Sequence, residues 1–154
     1  MAEEKPKIET KEKIEATTAG VKKEIVIDAT NATLGRLASY AAKQSLLGKS
    51  VIIVNCNDAV ITGKPKVTTK KYARLVRKGG SSLKGPKIAR TPYRIVKRTI
   101  RGMLSHNQVR GRDALKRIIC HNEVPAEFDQ AKMIKAGKPK LTKTIKLKDL
   151  IKGL

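Results

Sequence analysis

A helical pattern between two short runs of β-branched residues is the feature that most limits what this chain can fold into. Residues 24–28 read EIVID and residues 51–54 read VIIV. Four consecutive β-branched residues are typical of a strand buried on both faces, as in a parallel sheet. The order strand, helix, strand predicts a βαβ unit with a right-handed crossover. Gly48 is placed to end the helix, whose apolar stripe is formed by Leu34, Leu37, Ala38, Ala41 and Ser45.

A second helix is predicted at residues 92–104. Pro92 suits its first position, where a backbone N–H is not needed. Apolar residues from Ile95 to Leu104 form a continuous stripe, which we expect to face the core. The opposite face is basic and carries Arg94, Lys97, Arg98 and Arg101. The other patterns predict an extended segment at 59–62, a weak helix at 66–77, a basic turn at 105–112, a short helical turn capped by Asp113, and a last core strand at 117–120.

Positive charge is concentrated in the middle of the chain. The sequence has 35 Lys and Arg against 13 Asp and Glu, a formal net charge of +22, although residues 1–24 are neutral. Between Asp58 and Asp113 there are sixteen Lys or Arg and no acidic residue. A protein surface normally mixes both signs, and so large an excess opposes compaction unless a polyanion neutralises it. The distribution therefore indicates a nucleic-acid-binding surface.

Cysteine usage and the apolar runs exclude several other classes of protein. Cys56 and Cys120 form no C-x-x-C pattern and the two His complete no zinc spacing, so no metal is predicted. Both cysteines are expected to be buried or neutral thiols in a reducing compartment. No apolar run approaches the roughly 20 residues that span a bilayer, and the first residues lack the apolar segment of a secretory signal. A cytoplasmic protein is expected, with no membrane partner.

No motif for nucleotide binding or catalysis is complete. Gly48-Lys49-Ser50 resembles the end of a phosphate-binding loop, but the earlier glycine is missing and the segment joins a helix to a strand, the reverse of that loop. The first βα turn has one glycine, Gly35, where a dinucleotide site needs more. Asp28 and Asp58 lie near predicted strand ends, where loop hydrogen bonding is the favoured interpretation. We predict no enzyme, no cofactor and no small-molecule substrate.

Three basic runs are the strongest functional signal, at residues 70–74, 94–101 and 110–112. Lys and Arg supply most phosphate contacts, and Arg also suits bidentate pairing with phosphate and stacking on bases. Aromatic residues make up 3% of the chain, and the signatures of a helix-turn-helix, a zinc finger and a stacking platform for single strands are all missing. Together these features predict recognition of the backbone and shape of a folded RNA.

Several short motifs follow one another in a distinctive order over about residues 24–126. They are Asp28-Ala29, LGRLAS at 34–39, Leu47-Gly48-Lys49, Val51 to Asn55, Thr62-Gly63-Lys64, Lys71-Tyr72, RGML at 101–104, Gly111-Arg112, Leu115, Arg117 and Pro125. In this order and spacing they resemble the universal large-subunit ribosomal protein thirteen family. Ser105 stands where bacterial members usually have proline, and residues 74–89 are similar to the archaeal and eukaryotic-type branch.

The resemblance implies a three-layer α/β/α domain with a central, mostly parallel sheet of about four strands. It also implies large-subunit ribosomal RNA (rRNA) and neighbouring ribosomal proteins as partners, a role in subunit assembly and translation, and no catalytic residue. By motif, Gly35, Gly63 and Gly111 shape the backbone, and RNA contact is carried onto Arg36, Lys49, Lys64, Lys71, Arg101, Arg110 and Arg112. With the basic runs added, the predicted RNA-binding set is Arg36, Lys49, Lys64, Lys70, Lys71, Arg74, Arg94, Lys97, Arg98, Arg101, Arg110, Arg112 and Arg117.

The sequence thus predicts a single domain with appendages. Residues 1–23 are expected to be a flexible, disordered or weakly helical tail, and residues 24–128 the rRNA-binding core. Residues 129–154 are expected to form a basic extension, with leucines spaced for a terminal helix. Two alternatives stay open: a general nucleic-acid-binding protein, which would bind any polyanion alike, and an RNA- or nucleotide-processing enzyme on the same scaffold.

Overall fold

Four parallel strands form the central sheet of the computed structural model, which describes residues 24–78, 88–136 and 142–154. The tail predicted at 1–23 lies outside the described residues. The strands are β1 (Glu24–Asp28), β2 (Ser50–Val54), β3 (Val60–Thr62), β4 (Ile118–Cys120), β5 (Met133–Lys135) and β6 (Thr144–Lys146). The helices are α1 (Leu34–Leu46), α2 (Pro65–Arg77), α3 (Pro92–Met103), α4 (Val109–Lys116) and α5 (Leu147–Lys152), with 3-10 turns at Cys56–Asp58 and Ala126–Phe128.

The predicted strand, helix, strand unit is confirmed by β1, α1 and β2. The two strands are parallel, in a register that places Ile27 beside Ile53. Every residue of the apolar stripe predicted for α1 is buried. Gly48 follows the helix with φ +88°, a backbone conformation that glycine adopts without strain.

The central sheet has the order β4-β2-β1-β5. Three of these strands were predicted from the sequence, and the fourth, β5, was not. The segment at 59–62 does form a strand, but β3 pairs with β6 in a separate antiparallel sheet, with Ile61 opposite Ile145. The fourth parallel strand is β5, which lies beside β1. Residues 117–120 therefore do not hold the last core strand, because β5 follows them in the chain. The sequence Met-Ile-Lys is too short to show a strand pattern.

The two faces of the sheet are covered by different kinds of structure. Ile27, Ile53 and Ile118 face the main core, where they pack with buried residues of α1, α3, α4 and α5. The opposite face is covered by residues around the turn Ala126–Phe128, and its apolar contacts are made by Val26, Ile52, Val54, Val124, Phe128, Ala131 and Met133. The α/β class, the parallel four-stranded sheet and the single domain are confirmed. The outer layer on this second face contains one 3-10 turn in its described part.

Helix α4 begins earlier than the sequence indicates. Residues 105–112 were expected to be a turn with Asp113 as a cap, but α4 starts at Val109 and Asp113 lies inside it. Gly111 is buried within this helix, and a Cβ at that position would overlap the backbone carbonyl of Ser105. Gly111 therefore brings the helix close to the preceding turn. The space beside it is filled by the protein's own backbone.

The described residues of the C-terminal segment are built into the fold, although they were expected to lie beyond the core. They supply β5 to the central sheet and β6 to the small one. Leu147 and Leu150 of α5 are fully buried in the main core. The leucine spacing anticipates this helix, whereas the surrounding lysines make the segment look like a solvated extension.

Candidate nucleic-acid interface

The predicted RNA-binding residues fall into an exposed group and a half-buried group. Lys49, Lys97 and Arg117 are half-buried. The exposed members are Arg36, Lys64, Lys70, Lys71, Arg74, Arg94, Arg98, Arg101, Arg110 and Arg112. Cationic side chains that reach solvent can exchange water for phosphate at little cost in desolvation, so exposure favours the assignment of these ten.

Helix α2 carries five lysines and arginines and no acidic residue. None of its residues is buried, and the half-buried Tyr72 packs its ring against the main core. Burial raises the pKa of this tyrosine, which keeps the phenol neutral at physiological pH. The helix is thus held along one side and leaves its lysines and arginines in solvent.

A cationic groove runs along the C-terminal half of α2. It is lined by Lys70, Arg74, Arg77 and Lys78, with Ala73 between them. Lys70 and Arg74 belong to the set predicted from the sequence, whereas Arg77 and Lys78 do not. The signal was available, because residues spaced by three or four positions share a helix face. Alanine at position 73 leaves room for a phosphate to approach the four cationic groups.

Helix α3 separates apolar from basic residues as predicted. Ile95, Val96 and Ile100 are buried, and Arg94, Arg98 and Arg101 are exposed. Met103 was expected to face the core and is instead 45% exposed, while Leu104 is buried.

Arg94 is held in place by its neighbour. Its Nε donates a hydrogen bond to the Tyr93 hydroxyl oxygen at 2.9 Å, and its guanidinium carbon lies 5.6 Å from the centre of the Tyr93 ring. A cation held over an aromatic ring gains a modest attraction. The remaining guanidinium N–H groups of Arg94 are therefore presented from a restricted position, which suits bidentate phosphate binding.

Arg117 has a structural contact of its own. Its Nη1 donates to the backbone carbonyl of Ser45 at 3.0 Å, in the last turn of α1. Carbonyls at a helix C-terminus lack partners within the helix and attract cations. Arg117 thus joins the end of α1 to the start of β4, and part of its guanidinium is used in this structural contact.

Two acidic residues, Asp58 and Asp113, pair with lysines outside the predicted set. Asp58 binds the Lys146 ammonium group at 2.8 Å, and Asp113 lies 3.8 Å from Lys116. Hydrogen bonding to Asp58 raises the pKa of Lys146. Both lysines lie outside the predicted RNA-binding set, so these pairs do not compete with it for phosphate.

Asp28 is committed to loop structure, as the sequence analysis favoured. Its Oδ1 accepts hydrogen bonds from the Thr30 backbone N–H at 3.0 Å, the Thr30 hydroxyl at 2.6 Å and the Asn55 amide at 3.0 Å. Burial raises the pKa of Asp28, but the hydrogen bonds from Thr30 and Asn55 outweigh it, so the net pKa is lowered. This carboxylate connects the loops that follow β1 and β2 and is not poised to exchange protons near neutral pH.

The two cysteines meet in space, although they are distant in sequence. Cys56 follows β2 and Cys120 ends β4, and the Cys56 N–H donates to the His121 carbonyl at 3.2 Å. Both thiols are free, with Cys56 buried and Cys120 half-buried. A hydrogen bond between the two thiols raises the pKa of Cys56 and lowers that of Cys120, where Lys97 acts in the same direction.

The described residues also bear on membrane spanning and metal binding. No helix within them has the length and apolar character to cross a bilayer. Among the same residues, His, Cys, Asp and Glu side chains form no group of three or more that could hold a metal ion.

The fold and the surface define a small, strongly basic α/β protein with cationic helices beside a parallel sheet. The family described as "Ribosomal protein L13" matches residues 22–127. Three archaeal relatives are each named "Large ribosomal subunit protein uL13". That of Methanococcoides burtonii is 42% identical over 118 residues, covering 77% of this chain and 84% of the relative. That of Methanosarcina barkeri is 47% identical over 110 residues, 71% of this chain and 78% of the relative.

The third relative, from Thermoplasma volcanium, is 38% identical over 132 residues, which cover 84% of this chain and 96% of the relative. The chain belongs to the ribosomal protein L13 family. Its relatives also confirm the archaeal type expected from the departures around Ser105. The matched region spans β1 to the turn Ala126–Phe128, and so includes α2, α3 and α4.

Proposed function

We propose that this protein is a structural constituent of the large ribosomal subunit in the cytoplasm, where it binds large-subunit rRNA through its cationic helices and supports subunit assembly. Membership of a non-catalytic ribosomal family supports this function and removes the enzyme alternative. The observation that carries the RNA-binding part is the cationic groove of α2, where four side chains converge without an acidic neighbour among its lining residues.

The proposed interface combines this groove with the basic faces of α3 and α4. Lys70, Arg74, Arg77 and Lys78 would neutralise neighbouring phosphates of one RNA strand. Release of condensed counterions would then supply affinity. Arg94, Arg101 and Arg112 would add bidentate contacts that fix the orientation of the protein. Neighbouring ribosomal proteins are the second class of partner.

The groove can be tested with two double variants that change charge equally. Lys70→Gln with Lys78→Gln removes two charges from the groove, and Lys132→Gln with Lys135→Gln removes two exposed charges near β5. Binding of the full chain to transcribed large-subunit rRNA is measured across a salt series. The groove variant should lower the log–log salt slope by roughly 1.4 to 1.8, at about 0.7 to 0.9 per phosphate contact.

The log–log salt slope of the control variant should differ from that of the parent by less than the change expected for about half a phosphate contact. Equal losses in the two variants would show that only net charge matters. That result would support the general nucleic-acid-binding alternative and contradict a defined interface at α2.

A further inference from the structure

A cluster of exposed apolar side chains lies between the ends of α1 and α3. Leu46 is 37% exposed, Leu47 is 64% exposed and Met103 is 45% exposed. These three residues line a single open groove with Lys43 and Arg110, which we call the apolar groove. Single exposed apolar residues are common on protein surfaces, but three that share a groove form a contiguous patch of the kind that marks interaction sites.

None of these three side chains belongs to the main core of the described residues. Leu46 ends α1 and Leu47 caps it through its backbone N–H, which donates to the Lys43 carbonyl at 3.2 Å. That contact uses no side-chain atom of Leu47. The core near the end of α1 is filled by Ala42 and Ser45, and Leu104 takes the buried position next to Met103.

The chemistry of the apolar groove fits a protein better than RNA. Its floor has no aromatic ring on which a base could stack, and stacking is the usual apolar contact with unpaired bases. Aliphatic and thioether side chains gain little against a charged sugar-phosphate backbone. Methionine and arginine are both enriched at protein–protein interfaces, where an apolar centre is surrounded by a polar rim.

We propose that the apolar groove is a docking site for a segment of another protein that inserts an apolar side chain and carries carboxylates beside it. The apolar side chain would cover Leu46, Leu47 and Met103. The carboxylates would meet Lys43 and Arg110, which are both exposed on the rim. Charge complementarity selects this occupant over a second copy of the chain, because a protein of net charge +22 would bring further positive charge to a basic rim.

This proposal rests on the proposed place of the chain in the large subunit and adds a surface for a protein neighbour. It places the protein partner at the junction of α1 and α3, beside the RNA surface proposed for α2 and the basic faces of α3 and α4. Arg110 belongs to the predicted RNA-binding set, and the proposal gives it a carboxylate partner instead.

The test uses the full chain with a photo-crosslinking amino acid at position 47, assembled into large ribosomal subunits. The expected product is an adduct with one other protein, resistant to ribonuclease and sensitive to protease, whose crosslinked peptide contains Asp or Glu near an apolar residue. Reversing the rim charge with Lys43→Glu should lower its yield about tenfold. An adduct with rRNA, an adduct with a second copy, no adduct, or a yield insensitive to Lys43→Glu would overturn the proposal.

A matched position separates this proposal from the RNA-binding function. Val67 on α2 is 62% exposed, nearly as much as Leu47, and lies one turn before Lys70 and Lys71. A crosslinker at position 67 should give an adduct with rRNA, and its failure would count against the α2 interface alone. In addition, Leu47→Ser should leave binding to naked large-subunit rRNA within about twofold of the parent. A larger loss would place RNA in the apolar groove and overturn the docking proposal.

Discussion

The Cα of Gly111 lies so close to the carbonyl of Ser105 that no side chain fits between them. Gly111 is inside α4, where alanine would normally be more stable than glycine by about 0.5 to 1 kcal/mol. Here the added methyl group must displace backbone, which is less able to move than a flexible side chain. The contact therefore fixes α4, and with it Arg110 and Arg112, against the turn that follows α3.

We expect Gly111→Ala to reduce the free energy of unfolding by about 1 to 3 kcal/mol, the usual cost of overpacking. Gly102→Ala is the matched control, because Gly102 is also within a helix and has no atom near the position of an added Cβ. That variant should be unchanged or more stable by up to about 1 kcal/mol. Denaturant unfolding measures both, and equal effects of the two substitutions would refute the close contact.

The hydrogen bond from Arg117 to the Ser45 carbonyl should contribute to stability independently of RNA. We expect Arg117→Ala to lower the free energy of unfolding by about 1 to 2 kcal/mol, since charged hydrogen bonds contribute more than neutral ones and this one is partly exposed to solvent. Arg112→Ala, at an exposed arginine of α4, should change stability by less than about 0.5 kcal/mol. If thermal or denaturant unfolding ranks the two variants in the opposite order, the assigned role of Arg117 is wrong.

The thiol pair makes Cys120 the more reactive cysteine. The Cys56 thiol lowers the pKa of Cys120 by hydrogen bonding, so a larger fraction of Cys120 is thiolate near neutral pH than it would be alone. Cys56→Ala should therefore raise the pKa of Cys120 and slow its alkylation by iodoacetamide. The pH profile of the alkylation rate should move to higher pH in the variant. A profile that stays in place, or moves to lower pH, would rule out the hydrogen bond as the cause.

Asp28 should make stability depend on pH in the acid range. Its pKa in the folded protein is below the ordinary value of 3.8, so the folded state favours the carboxylate. The contribution is fully present above the unfolded pKa and is lost as pH falls through the folded pKa. The difference in unfolding free energy between the parent and Asp28→Asn should be constant above about pH 5 and shrink below about pH 4. A difference that grows on acidification would show that the sign of the shift is wrong.

The sequence predicts the long elements well because their patterns repeat over several turns. The stripe of α1, the VIIV run of β2 and the two-sided pattern of α3 are each specified by many residues acting together. β5 is missed because three residues provide no period, and its place beside β1 depends on the path of the whole chain. The start of α4 is missed because Gly111 and its flanking arginines have the composition of a turn, although here the glycine serves helix packing.

The candidate site was likewise predicted only in part from the sequence. Exposure of the basic faces follows from amphipathic spacing, and ten of the thirteen predicted residues are exposed. The meeting of the cationic side chains in the groove of α2 is harder to predict. It depends on the fact that no residue of this helix is buried, which the sequence pattern does not show. The meeting of Cys56 and Cys120 depends on the parallel pairing of β2 with β4, which local sequence does not encode.

Shape-specific recognition of large-subunit rRNA can be tested by measuring selectivity between RNAs as the salt concentration rises. The full chain is titrated with transcribed large-subunit rRNA and with an unrelated folded RNA of equal length, over a range of salt concentrations. Nonspecific phosphate binding weakens with salt for both RNAs. We predict that the large-subunit rRNA binds more tightly and keeps its advantage as salt increases. Equal affinities that disappear together would show that the protein binds any polyanion and does not recognise the shape of large-subunit rRNA.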